Sequence, residues 1–190
     1  MRTVLVTGAK GFIGRNLCVT LRERKEITLY ESDIDTPKED LARFVSEADI
    51  VYHLAGVNRP KDPAEFETGN AGSIENLVSL AETKGRSPTI VVTSSIQAKL
   101  DNPYGVSKLH GERVALSYGE RTGAPVYVFR LANAFGKWSR PFYNSVIATF
   151  CHQAAHGEPF RIDDPGKVIE FVYIDDIVDA PIGILDGRQP

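Results

Sequence analysis

Apolar positions along this chain follow two rhythms. Short β-branched runs alternate with longer stretches in which apolar side chains recur every third or fourth residue. RTVLVT at 2–7 predicts a buried strand, and the glycine-rich TGAKGFIG leads from it into a helical segment reaching about Lys25. ITLY at 27–30 predicts a second strand, and Thr36, Pro37 and Glu39 read as a capping box opening a helix through Glu47. ADIVYHLAG contains a third strand. Asn70 to Lys84 carries Ile74, Leu77, Val78 and Ala81 on one stripe and stops at Gly85. TIVVT at 89–93 predicts a fourth strand, a helix follows from Tyr104 to about Gly119, and PVYVFR at 125–130 predicts a fifth strand. This alternation predicts an α/β fold, a Rossmann-type doubly wound parallel sheet. Beyond it, NSVIATFCHQAAHG predicts an amphipathic helix stopped at Gly157, and EFVYIDDIVDAPIGIL a last short strand and helix.

The turn after the first strand places glycines at 8, 11 and 14. Gly8 suits the tight turn, Gly11 lets backbone amides approach a pyrophosphate, and Gly14 lets the helix pack on the strand. Dinucleotide binding is the reading this supports. Glu31, at the end of the second strand and twenty residues after Gly11, is placed to accept hydrogen bonds from an adenosine ribose, which favours NAD. A 2′-phosphate there would meet Glu31, Asp33 and Asp35 unless Lys10 or Arg15 compensated. Leu54, Ala55 and Gly56 lie at the carboxyl end of the third strand, where small residues let the backbone pass close to a cofactor. Arg59, in the loop beyond, could meet a phosphate. Phe12 and Asn70 complete the predicted cofactor-binding set. The sequence therefore divides into a dinucleotide-binding domain, 1–135, and the start of a substrate-binding lobe, 136–190.

The densest chemistry lies in DNPYGVSKLHGER at 101–113, where Tyr104 and Lys108 stand four residues apart and share a helix face. A phenol titrates near ~10, and an ammonium fixed beside it would lower that value. Ser94 and Ser95 end the fourth strand at the carboxyl edge, where a hydroxyl can hydrogen-bond a substrate carbonyl. Asn133, Phe135 and Gly136 follow the fifth strand. Lys137, Trp138 and Arg140 could grip a nucleotide diphosphate and stack on its base. His53, in an apolar run, reads as a hydrogen-bonded core histidine, and His152 and His156 as a solvated helix face without a third metal ligand.

Composition narrows the partners. With 42% hydrophobic residues and a formal charge of −3, the chain is of ordinary soluble type and has no basic stripe for nucleic acid. No run reaches membrane-spanning length and no leader precedes the first strand, so a cytoplasmic protein is expected. Cys18 and Cys151 sit among apolar helical neighbours and read as reduced core residues.

TGAKGFIG, HLAG, SS, YGVSK, RLANAFG and FVYIDD occur in the order found in extended short-chain dehydrogenases/reductases of the NAD-dependent epimerase/dehydratase family, which act on nucleotide sugars. HLAGVNRP, SSIQAKLDNPYGVSKLHGE and FGKWSRPFYNSVIATFC resemble the reductase domain of CapF-type enzymes of capsular polysaccharide and O-antigen synthesis. The resemblance implies NADPH-dependent reduction of a 4-keto UDP-N-acetyl-6-deoxyhexose to a UDP-N-acetyl-6-deoxytalose, within a homodimer. Tyr104 would donate the proton, Lys108 would hold the nicotinamide ribose, and Ser95, with Ser94 beside it, would bind the substrate oxygen. Asn133, Lys137, Arg59 and Asn144 would approach the UDP-sugar. In that family a zinc-binding cupin domain follows the reductase, and nothing here corresponds to it. Ile96 and Gln97 stand where dehydratases carry an Asp-Glu pair. Two alternatives remain open at the level of sequence: an NAD-dependent 4-epimerase, toward which Glu31 leans, and a dinucleotide-binding fragment without chemistry.

Overall fold

The computed structural model describes residues 1–188. They form two compact units, Met1–Arg130 and the residues from Leu131 onward. Five strands, β1 (Arg2–Thr7), β2 (Ile27–Ser32), β3 (Ile50–His53), β4 (Thr89–Ser95) and β5 (Val126–Leu131), make one sheet in the order β2-β1-β3-β4-β5. β1 runs parallel to both neighbours, with Thr7 opposite Ser32 on one side and His53 on the other. β3 runs parallel to β4. The chain winds outward in opposite directions from β1, so a crevice opens at the carboxyl ends of β1 and β3, the switch point where ligands of such sheets bind.

The helices of this unit are α1 (Phe12–Arg22), α2 (Lys38–Glu47), a single turn α3 (Ala64–Phe66), α4 (Gly72–Thr83) and α5 (Pro103–Thr122). Leu5, Val51 and Ile90 of the sheet pack with Val45, Ile74, Leu77, Val78, Ala115 and Tyr118 of the helices in one buried cluster. Each aliphatic side chain fully removed from water contributes roughly 1.5–3 kcal/mol, so this cluster fixes α2, α4 and α5 on the sheet. The Tyr118 hydroxyl donates to the Pro88 carbonyl at 2.9 Å, so its burial leaves no polar atom unpaired.

Local structure departs from the sequence expectations at several points. The capping box does not form. Pro37 is itself the N-cap of α2, and the Thr36 hydroxyl accepts from the Asp33 amide at 2.9 Å, closing the turn after β2. The helix expected from Asn70 begins with a π-helical turn, Glu67–Ala71, before α4 proper. α5 runs to Thr122 and ends at Gly123, whose φ of 73° is the left-handed conformation glycine adopts freely. Cys18 is buried as expected, whereas Cys151 is exposed, because its helix contributes no buried residue.

The second unit contains a parallel pair, β6 (Asn133–Phe135) and β7 (Phe171–Tyr173), with helices α6 (Val146–His156) and α7 (Ile174–Leu185). Three residues are too few for an alternation to declare itself, and β6 was not expected. It is held by ring packing, with Phe135 5.8 Å from Phe171 and 5.4 Å from Tyr173 between centroids. Among the described residues no helix is long and apolar enough to cross a membrane, and no cluster of three or more His, Cys, Asp or Glu side chains could hold a metal ion.

Candidate active site

The glycine turn builds a cradle that side chains would fill. A Cβ on Gly8, whose φ is +70°, would lie 2.7 Å from the Ala55 amide nitrogen, and one on Gly14 would lie 2.1 Å from the Gly8 carbonyl oxygen. Close backbone approach is therefore what these two positions need. Gly11 meets nothing nearer than the Gly8 oxygen at 3.1 Å and lines a cavity of about 440 Å³. Gly8, Ser32, Asp33, Leu54, Ala55 and Gly56 line the same cavity, at the switch point of the sheet. Phe12 begins α1 directly after the turn, so the helix N-terminus points its free amides there. These residues fit a dinucleotide: Gly8, Gly11, Ala55 and Gly56 would meet it, and Gly14 would let α1 close on the turn beneath it.

Asn70 ties this cradle to α5. Its Oδ1 accepts from the Val57 amide at 3.0 Å, and its Nδ2 donates to the Val57 carbonyl at 3.2 Å and the Ser107 hydroxyl at 2.9 Å. With both amide hydrogens and the carbonyl oxygen engaged, it locks the loop after β3 against the helix carrying Tyr104 and Lys108. His53 is a core histidine as expected, with Nδ1 2.9 Å from the Thr7 hydroxyl and Nε2 3.1 Å from that of Ser73. Burial, together with the charge of Lys108, pushes it down to about 3, so it is neutral at pH 7.

The start of α5 is built to bring Tyr104 onto Ser95. The Asn102 side chain caps the helix by accepting from the Gly105 amide at 2.8 Å, with Pro103 at the first helical position. A Cβ on Gly105 would lie 2.3 Å from the Gln97 carbonyl oxygen, so glycine there lets the helix press against the 3-10 turn Ile96–Lys99. Ser95 caps that turn, accepting from the Gln97 amide at 3.1 Å, and its hydroxyl lies close enough to the Tyr104 phenol to perturb it. Phe66 supports the phenol ring from the side, 5.6 Å between centroids.

The electrostatics differ from expectation. Burial raises the Tyr104 phenol above its ordinary value, and the neighbouring Ser95 hydroxyl opposes that shift without reversing it. The Lys108 ammonium, expected to lower it, is directed at the Thr93 carbonyl, 2.8 Å away. Burial brings Lys108 down to about 8, and Glu112, one turn further along α5, works against that. Glu112 was not among the residues singled out from the sequence. It is buried, accepts from Ser94 and forms a two-point salt bridge with Arg130. The two serines therefore differ: Ser95 meets Tyr104, while the hydroxyl of Ser94 is committed to Glu112.

Glu31 is likewise committed, receiving Arg22 at 2.8 and 2.6 Å, and it does not line the cavity. Arg59 is exposed on the loop after β3. Within the second unit, the Asn133 side chain donates to the Glu170 carbonyl at 3.0 Å, Lys137 lies 4.4 Å over the Trp138 ring, and Asn144 is exposed.

Comparison with known proteins shows the family. The chain is 45% identical over 185 residues to a UDP-2-acetamido-2,6-beta-L-arabino-hexul-4-ose reductase of Pseudomonas aeruginosa, covering 97% of this chain and 50% of that protein. It is 27% identical to UDP-glucuronate 4-epimerase 6 of Arabidopsis thaliana, covering 98% of this chain and 52% of that protein. The crystal structure of the capsular polysaccharide assembling protein CapF from Staphylococcus aureus superposes with a TM-score of 0.88 at 40% identity, over 98% of this chain and 51% of that one. The chain thus spans about half the length of the curated relatives it matches. Residues 4–189 match the NAD dependent epimerase/dehydratase family, and the chain belongs to that family.

Proposed function

We propose that this chain binds a nicotinamide dinucleotide across the carboxyl edge of its sheet and reduces the 4-keto group of a UDP-N-acetyl-6-deoxyhexose. The observation that carries this reading is the placement of the buried Ser95 hydroxyl at the end of β4 close enough to the Tyr104 phenol to perturb it, with Lys108 anchored one turn along the same helix. The likeness to a protein named as a UDP-linked hexulose reductase, and to CapF, supports the substrate class.

A reduced nicotinamide supplies the hydride when bound. The chain must then stabilise the negative charge developing on the sugar oxygen and deliver a proton to it. Ser95 and Tyr104 bring two hydroxyls to one point. A phenol raised by burial is fully protonated at neutral pH, which suits Tyr104 to donate rather than abstract. Lys108, held by the Thr93 carbonyl, is placed to take a ribose hydroxyl, and Glu112 holds Ser94, fixing the strand end that carries Ser95. Arg59, Asn133, Lys137 and Asn144 are our candidates for gripping the UDP-sugar.

The test is to supply a 4-keto UDP-N-acetyl-6-deoxyhexose with NADH or NADPH, follow nicotinamide absorbance and identify the sugar. Stoichiometric oxidation with a 6-deoxytalose product supports the reductase. A changed sugar without net oxidation points to epimerisation, and an unchanged sugar overturns catalysis by this chain alone.

A further inference from the structure

We propose that Asp33, not Glu31, reads the adenosine ribose, and that it selects the unphosphorylated dinucleotide, NAD(H), over NADP(H). The inference rests on the dinucleotide reading above and deepens it.

Asp33 is seated on the glycine turn. Thr7 lies opposite Ser32 in the sheet, the Ala9 amide donates to the Ser32 carbonyl at 3.1 Å, and the Lys10 amide donates to Asp33 Oδ2 at 2.8 Å. Asp33 Oδ1 accepts from the Ile34 amide at 2.9 Å, and Thr36 closes the turn through both its amide and its hydroxyl. The carboxylate is thus fixed where the β2 end meets the pyrophosphate loop, the place from which doubly wound folds reach the adenosine ribose. A carboxylate offers about four lone-pair sites, and two amides leave acceptor capacity for the ribose hydroxyls. Glu31, two residues earlier, is taken up by Arg22 and does not line the cavity.

The charges decide between the cofactors. Asp33 is the one charged side chain among the residues lining the cavity, which include no lysine or arginine. His53 also lines it and is neutral. The ammonium of Lys10 is paired with Asp35 and the guanidinium of Arg22 with Glu31. Ile34, fully exposed beside Asp33, brings no charge. A 2′-phosphate would lose its hydration against this carboxylate, whose neighbouring cation, Lys10, is already paired with Asp35, whereas a 2′-hydroxyl would donate to the carboxylate. This is opposite to the NADPH that the resemblance to CapF-type reductases implies.

The experiment titrates the full chain with NADH and with NADPH, following nicotinamide fluorescence, and repeats this for three variants. The wild type is expected to bind NADH about tenfold or more tightly than NADPH, the scale of one opposed charge pair. Asp33→Asn brings the two affinities within about threefold of each other, and adding Ile34→Arg inverts the order. Glu31→Gln leaves the wild-type ratio in place. Equal or tighter binding of NADPH by the wild type overturns the proposal while leaving the dinucleotide site intact. So does a gap that closes in Glu31→Gln and persists in Asp33→Asn. Binding of neither cofactor by the wild type overturns the dinucleotide reading itself, a result distinct from either of these.

Discussion

Arg130 at the end of β5 clasps Glu112 of α5 through two hydrogen bonds, 2.9 Å from Nε to Oε1 and 2.7 Å from Nη2 to Oε2. Ser94 donates to the same carboxylate, which is only 4% exposed. One carboxylate therefore ties the last strand of the sheet, the helix carrying Tyr104 and Lys108, and the residue next to Ser95. Fork-to-fork pairing of this kind sets orientation as well as energy.

Glu112→Gln is expected to cost about 2 kcal/mol of stability, less than for a fully buried pair because Arg130 reaches solvent. Burial pushes the Glu112 carboxyl up, but hydrogen bonds from Arg130 and Ser94 and the neighbouring cations outweigh it, leaving the carboxyl below its ordinary value of 4.5. A carboxyl lowered on folding stabilises the protein above its unfolded value and loses that contribution as pH falls through the folded one. The stability of the wild type should therefore fall as pH drops below 4.5, and Glu112→Gln should flatten part of that slope in thermal melts across pH.

Tyr104→Phe removes the proposed proton donor and keeps the ring against Phe66. Turnover is expected to fall by a factor of about 100 or more, the scale of general acid catalysis, with dinucleotide affinity within a few-fold of wild type. Steady-state rates with titrated cofactor check both halves, and turnover near wild type would remove Tyr104 from its assigned role.

Lys108 is lowered on folding from 10.5 to about 8, chiefly by burial. Between those values the unfolded chain holds a proton the folded chain has lost, so this group makes stability rise with pH across that window. Below it the buried ammonium costs about 3 kcal/mol. Lys108→Met is expected to melt no lower than wild type at pH 7 and to lose the rise between pH 8 and 10.5, while cofactor affinity and turnover fall. Melting curves over that range, with activity at pH 7, make the comparison.

Two glycines separate close approach from conformation. Gly14→Ala puts a methyl 2.1 Å from the Gly8 oxygen and 2.9 Å from the Ala9 Cα, both backbone atoms, and should cost about 3 kcal/mol or more and abolish dinucleotide binding. Gly85→Ala has open space around it and pays only for its φ of +62°, about 1–2 kcal/mol. Denaturant titration of the two variants should separate them by that margin.

Local rules made much of this legible before folding. The strands of the five-stranded sheet, the glycine cradle and the Tyr104/Lys108 pair depend on spacings of two to seven residues, which strand pleat and helix pitch convert directly into faces. The core role of His53 followed from the apolar run around it. Glu112 had a signal as well, since it lies four residues after Lys108 in YGVSKLHGE and so on the same helix face.

What the sequence determined by itself was an α/β order, a glycine turn and a helix presenting a tyrosine and a lysine together, because each arises from short-range periodicity. Tertiary structure alone decided which groups were already taken. Arg22 claims Glu31, Glu112 claims Ser94, and Thr93 claims Lys108, leaving Asp33 to face the cavity and the Ser95 hydroxyl beside Tyr104. It also decided the direction of Tyr104, because the burial that raises the phenol exists only once α5 lies on the sheet. Hydrogen bonds such as that from Asn70 to Ser107, 37 residues apart, follow from the packing of whole elements, and no local spacing encodes them.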